Sequence, residues 1–177
     1  MDIAIETALV QRARDGSDEA FSRLVGGHQQ VVRAFLRRLA SNPADADDLA
    51  QEAFVTAWSH LGKLRDGVRF RTFVCGIAYR KALNDRKRYG RAAARDTAWH
   101  DLTPQTQSPT NDERLSVKAA LQTLPIDVRA AVSLCVAGDY SHSEAAEILA
   151  LPLGTIKSHI QKGRDKLNIL LQRDDVK

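Results

Sequence analysis

Residues Tyr140 to Leu167 read YSHSEAAEILALPLGTIKSHIQKGRDKL, an order of residue types that fits recognition of duplex DNA rather than covalent chemistry. Ser141 followed three residues later by Glu144 forms a capping box, in which a hydroxyl and a carboxylate satisfy amides that a helix start leaves unpaired. A short helix is therefore expected from about Ser141, with Ala145, Ala146, Ile148 and Leu149 on its apolar side. Leu151-Pro152-Leu153-Gly154 then stops it, because proline cannot continue a helix and glycine tolerates the turn. Thr155 is positioned to cap a second helix, where Ile156, Ile160, Leu167 and Leu170 keep to one face and Lys157, Ser158, Gln161, Lys162, Arg164 and Lys166 point elsewhere. Two helices joined by a tight turn, the second polar and basic near its start, make a helix-turn-helix that brings side chains to base edges. A packed helical hairpin with solvated lysines would explain the charged face alone. It does not explain the cap, the turn and the order of small and polar residues together.

Two further constellations precede this one. Residues 42 to 61, NPADADDLAQEAFVTAWSHL, predict a helix capped by Asn42, with Pro43 in the first turn and Asp45, Asp47 and Asp48 against the positive end of its dipole. Leu49, Ala50, Ala53, Phe54, Ala57, Trp58 and Leu61 form its inner stripe, leaving Asp45, Asp48, Gln51, Glu52 and Val55 on the opposite side. Carboxylates on successive helix turns do not wrap around an ion, so no metal is expected, and charge alone fits a solvated, well-capped helix start as well as a docking surface for a basic partner. Residues 61 to 95 carry 11 basic side chains against 2 acidic ones, with aromatics between them. Gly62 and Gly67 flank a loop bearing Lys63 and Arg65, followed by a helix in which Phe70, Phe73, Val74 and Ile77 start the inner face and Arg80, Lys81, Arg86, Lys87 and Arg88 lie outside. Cations beside ring faces hold single-stranded nucleic acid by neutralising phosphates and stacking unpaired bases. Phe70 and Phe73 are read as core.

The elements that must position these groups are helices nearly throughout. Residues 3 to 15 and 17 to 25 are expected as two helices broken at Gly16, with Ser17 as a cap and Gly26-Gly27 as a stop, followed by a third carrying Val31, Val32, Phe35, Leu36 and Leu39. From Ala92 to Asp112 the chain turns rich in Thr, Gln, Pro and Ser, which marks a linker between a domain of residues 1–91 and one of residues 113–177, free to reach separated sites. The fold class expected is all-α, two small helical domains on a flexible linker. The net charge is +4, and the excess is concentrated in the middle block. Cys75 and Cys135 are too few and too far apart for a metal knuckle or disulfide scaffold and are read as buried thiols of a reducing cytoplasm, and the five histidines lack ligand spacing. No cofactor, secretion signal or membrane span is expected.

In this order the three pieces resemble a sigma-70 family RNA polymerase sigma factor of the extracytoplasmic-function group, the compact class with only regions two and four, across nearly the whole chain. DADDLAQEAFVTAW at 45 to 58 is similar to the part of region two that binds the beta-prime clamp helices of core polymerase. The resemblance implies polymerase contacts at Asp45, Asp48, Leu49, Gln51, Glu52 and Val55. FRTFVCGIAYRKALNDRKR at 70 to 88 is similar to the segments that open and read the minus-ten element. With the preceding loop it implies contacts at Lys63, Arg65, Arg69, Arg71, Arg80, Asn84, Arg86, Lys87 and Arg88, the loop capturing a base extruded from the non-template strand. Residues 124 to 167 are similar to region four, which docks on the beta flap and reads the minus-thirty-five element, implying contacts at Ser143, Thr155, Lys157, Ser158, His159, Lys162 and Arg164. Gly163 stands where alanine is usual, which implies a less rigid recognition helix. The implied partners are core RNA polymerase, promoter DNA both duplex and melted, and an anti-sigma factor. A regulator that binds duplex DNA without replacing a sigma subunit would explain the helix-turn-helix, but not the acidic ridge or the basic block.

Overall fold

The computed structural model describes residues 1–40, 45–97 and 117–172, and among them every regular element is helical. In chain order these are α1 (Ile3–Arg14), α2 (Asp18–Leu39), α3 (Asp45–Ser59), a 3-10 turn at Leu61–Lys63, α4 (Phe70–Thr97), α5 (Val117–Gln122), α6 (Ile126–Ala137), α7 (His142–Leu149) and α8 (Leu153–Gln172). None of them is long and apolar enough to cross a membrane.

The break at Gly16 is present. Gly16 takes φ +93°, a left-handed conformation open to glycine at no steric cost, and the Ser17 hydroxyl accepts from the Ala20 amide at 3.2 Å to open α2. The stop expected at Gly26-Gly27 is not there, and α2 runs through both glycines. Leu24, His28, Val32, Phe35, Leu36 and Leu39 form one buried stripe along it. Packing that stripe outweighs a propensity penalty of about 1 kcal/mol per glycine. Helix α3 buries Ala46, Leu49, Ala50, Ala53, Phe54 and Ala57. Its expected cap at Asn42 and Pro43 lies outside the described residues. Phe70 is fully buried, as the core reading requires, Phe73 is partly buried against the same core, and the Phe21 ring meets those of Trp58 and Phe70 at 4.6 and 6.0 Å. Helix α4 continues to Thr97, into the stretch read as linker.

In the second half the Ser141–Glu144 capping box forms in both directions, at 3.1 and 2.9 Å. Ala150 in the left-handed region ends α7. Helix α8 begins at Leu153, two residues before the expected cap. The Pro152 carbonyl accepts from Thr155 and Ile156, so Thr155 lies in the first turn.

The two halves do not stand apart. α2 packs on α6, and α4 on α7, so that Ala130, Ala131, Leu134, Tyr140, Ala145 and Ile148 share a single core with the first four helices. Polar contacts close the seam: Tyr79 donates to Asp127, and the Cys75 thiol lies 3.1 Å from the Tyr140 hydroxyl. Burial pushes the Cys75 thiol up to about 11, so it stays protonated and unreactive at neutral pH. Cys135, read as buried, is only partly so. Arg129 is buried, and among the described residues it has no acidic partner. Its guanidinium donates to the Gln122 side chain and to the carbonyls of Gln122, Leu124 and Arg38, the last at the negative end of α2.

Candidate nucleic-acid interface

Helix α8 buries Ile156 and Ile160 against α6 and α7, which fixes the direction of everything else on it. At helical spacing Ser158, Gln161 and Lys162 then point outward, with Lys157 and Arg164 along one flank, and all five are exposed. His159 and Thr155 are half-buried at the border, and Ser143 is exposed on α7. On this face Gln161 donates to Asp165 at 2.9 Å. Gly163 faces inward: a Cβ there would stand 2.4 Å from the Val132 Cγ2 atom and 3.2 Å from Val128. Its role in this structure is close approach of α8 to α6, rather than the flexibility expected from the sequence.

The acidic face of α3 is displayed as expected. Asp48, Gln51, Glu52 and Val55 are exposed, Val55 at 64%, and Asp45 is partly so. Leu49, 7% exposed, keeps to the inner stripe read from the periodicity, which leaves little of it for the polymerase contact that the resemblance implies. Glu52 accepts from Lys81 of α4 at 3.0 Å, and Asp47 is paired with Arg33 and Arg37 of α2. Beside Gln51 and Val55 an apolar groove of about 440 Å³ opens between α2 and α3, floored by Phe21, Val25, Phe54 and Trp58.

The basic block divides into two groups. Arg80, Asn84, Arg86, Lys87 and Arg88 are exposed along the later turns of α4. Arg65, Arg69 and Arg71 pair with acidic side chains of other elements. Arg71 donates to Glu144 of α7 at 2.7 Å and stacks 4.4 Å over the Tyr140 ring, and Arg65 donates to Glu147. Burial opposes the charge on Glu144, yet the Arg71 contact and the Ser141 amide outweigh it and hold the carboxyl below the usual range. Lys63, in the 3-10 turn, and Arg65, on the loop that leads from it to α4, are exposed, and Arg69, at the end of that loop, reaches Glu6 at 3.7 Å.

Sequence reasoning missed the residues behind this loop. Glu6 and His28 are buried at its base, and Arg14 donates to the Leu61 and Leu64 carbonyls and to Asp66. The loop partners of Arg14 and Glu6 lie 47 to 64 positions away, and a lone Glu on an amphipathic helix gives no local signal. Among the described residues no group of three His, Cys, Asp or Glu side chains is arranged to hold a metal.

Two family models match the chain, sigma-70 region 2 over residues 24–92 and sigma-70 region 4 over residues 114–167, and α1 lies ahead of both. The RNA polymerase sigma-H factor of Pseudomonas aeruginosa is 30% identical, over 93% of this chain and 92% of that one. The ECF RNA polymerase sigma-E factor of Haemophilus influenzae is 28% identical, over 94% of this chain and 95% of that one. Among solved structures, the sigma factor RpoE of Bartonella quintana in complex with the anti-sigma factor NepR is similar with a TM-score of 0.71 at 26% identity, covering 86% of this chain and 96% of that one.

Proposed function

The chain belongs to the sigma-70 family of RNA polymerase sigma factors, in its extracytoplasmic-function group, and from that premise we propose how its surfaces divide the work of promoter-specific initiation. The exposed face of α3, with Asp48, Gln51, Glu52 and Val55 beside an apolar groove, docks on the beta-prime clamp helices of core polymerase. Helix α8 reads the minus-thirty-five duplex in the major groove, Lys157, Lys162 and Arg164 reaching phosphates and base edges. The 61–69 loop and α4 hold the melted minus-ten segment: Lys63 and Arg65 at an extruded base, Arg80, Arg86, Lys87 and Arg88 along the backbone. The work is binding and positioning; the bond chemistry of RNA synthesis belongs to polymerase, and the chain acts in the cytoplasm where polymerase and DNA meet.

The observation that carries this reading is the separation of charge on one short chain, an open acidic helix face at one place and open basic faces at two others. Arg65 and Arg71 are taken up by Glu147 and Glu144, so capture of the melted strand requires α7 to move off the start of α4. An anti-sigma partner of the kind bound to the Bartonella quintana protein would act by holding these faces away from polymerase and promoter. A regulator acting on duplex DNA alone leaves the α3 face without a use. Replacing Asp48 by Asn together with Glu52 by Gln is expected to weaken core polymerase binding by roughly tenfold while duplex affinity stays unchanged. An undiminished yield of holoenzyme from the double variant contradicts the assignment.

A further inference from the structure

We infer that Glu6 and Arg14, both on α1, are positioning residues that set the shape of the 61–69 loop and through it the choice of base taken from the melted strand. The first anchor is at the end of the loop. Residue 69, which precedes α4, is an arginine whose side chain cannot accept, and its carbonyl serves Thr72 and Phe73, so the Phe70 amide needs an acceptor from elsewhere. It finds Glu6, whose Oε1 accepts from the Phe70 amide at 2.8 Å while the side chain is 4% exposed. A carboxylate in that position also complements the positive end of the helix dipole. Its other oxygen lies 3.3 Å from the His28 Nε2 atom and 3.7 Å from Arg69, so the same group fixes the last residue of the loop. Among the described residues neither Glu6 Oε2 nor His28 Nε2 has an aligned hydrogen bond.

The second anchor is at the beginning. The Arg14 guanidinium donates to the Leu61 carbonyl at 3.4 Å, to the Leu64 carbonyl, and to the Asp66 carboxylate at 3.3 Å. Three donations from one planar fork define the path of the backbone more closely than any single bond. The anchors stand about two helical turns apart, ~12 Å along α1. Between them the loop turns at Gly67, φ +80°, and displays Lys63 and Arg65. It also walls a cleft of about 600 Å³ with Arg14, Trp58, Leu61 and Gly62. None of the DNA contacts expected from the sequence lies on α1, yet α1 holds both ends of the element that carries three of them.

This inference rests on the reading of the loop as the base-capturing element, and the test separates the two. Core polymerase is reconstituted with the full chain on a double-stranded promoter library randomised in both elements, and transcripts are sequenced to give the base preference at each position. Glu6→Ala and Arg14→Met are expected to flatten the preference at the captured minus-ten base by about tenfold, with the minus-thirty-five preference and holoenzyme yield unchanged. Glu6→Gln keeps an acceptor for the Phe70 amide and is expected to retain most of the preference, which a loss of fold stability alone would not predict. Arg14 is at the surface, 23% exposed as a side chain, so its variant carries the test even where Glu6→Ala fails to fold. An unchanged minus-ten profile in folded Arg14→Met overturns the inference. Lys63→Ala with Arg65→Ala serves as the control: if that pair also leaves the profile unchanged, the loop is not the reading element and both claims fall; if it alters the profile while Arg14→Met does not, only the role of α1 falls.

Discussion

Glu6 is a carboxylate removed from water and kept charged by what surrounds it. Burial alone would raise its pKa, but the approach of His28, the Phe70 amide and the charge of Arg69 outweigh that and hold it below the usual carboxylate range. A group whose folded pKa is depressed contributes stability that is present above its unfolded value and lost as pH falls through the folded one. Thermal melting followed from neutral pH downward should therefore show Tm falling below the ordinary carboxylate range. The fall should be shallower for Glu6→Gln, and parallel curves for the two proteins would remove Glu6 as a source of acid sensitivity. Arg129 and Arg71 follow the same rule, charge placed where carbonyls or a carboxylate receive it. At this scale the sequence was informative where helical spacing alone decides the direction of a side chain. Lys157, Lys162 and Arg164 are exposed and Leu49 is buried, where their spacing placed them, whereas Glu6 and Arg14 went unnoticed, because their meaning depends on partners remote in the chain.

Among the elements, those specified by local chemistry were the legible ones. The Ser141–Glu144 box needs only four consecutive residues, and it forms as read. The Gly26-Gly27 stop failed because the stripe from Leu24 to Leu39 is satisfied by other helices, which no local window contains. Gly163 makes the same point with opposite sign. Alanine at a free helical position stabilises by about 1 kcal/mol relative to glycine. At Gly26, where a Cβ meets nothing within 4 Å, Gly26→Ala should raise Tm accordingly. At Gly163 the new Cβ would meet the stiff side chain of Val132, and overpacking of this kind costs about 1–3 kcal/mol, so Gly163→Ala should lower Tm and weaken duplex binding by displacing α8 from α6. Chemical denaturation of both variants decides between a packing role and a flexible helix. Equal stabilisation by the two alanines would show that α8 does not need the close approach.

Over the whole molecule the fold class and the two-part organisation could be read from helical periodicity and from the resemblance of three segments to one family. The relation of the halves could not. It depends on Tyr140 against Arg71 and Cys75, on Glu144 and Glu147 against Arg71 and Arg65, and on Arg129 against the end of α2, pairs separated by 65 positions or more in the chain. A long polar stretch between two domains leaves them free to separate or to pack, and its composition does not choose. The packed arrangement keeps the α8 face and the acidic α3 face open while α7 covers the start of α4, an order that fits docking on polymerase before engagement of melted DNA. The most direct test is to mix the purified chain with core polymerase lacking any other sigma subunit on the randomised promoter library and to map transcript starts. Starts clustered at sequences sharing an upstream and a downstream element, absent with core polymerase alone, are the predicted result. Failure to associate with core polymerase, or starts no more selective than those of core polymerase alone, would contradict the account.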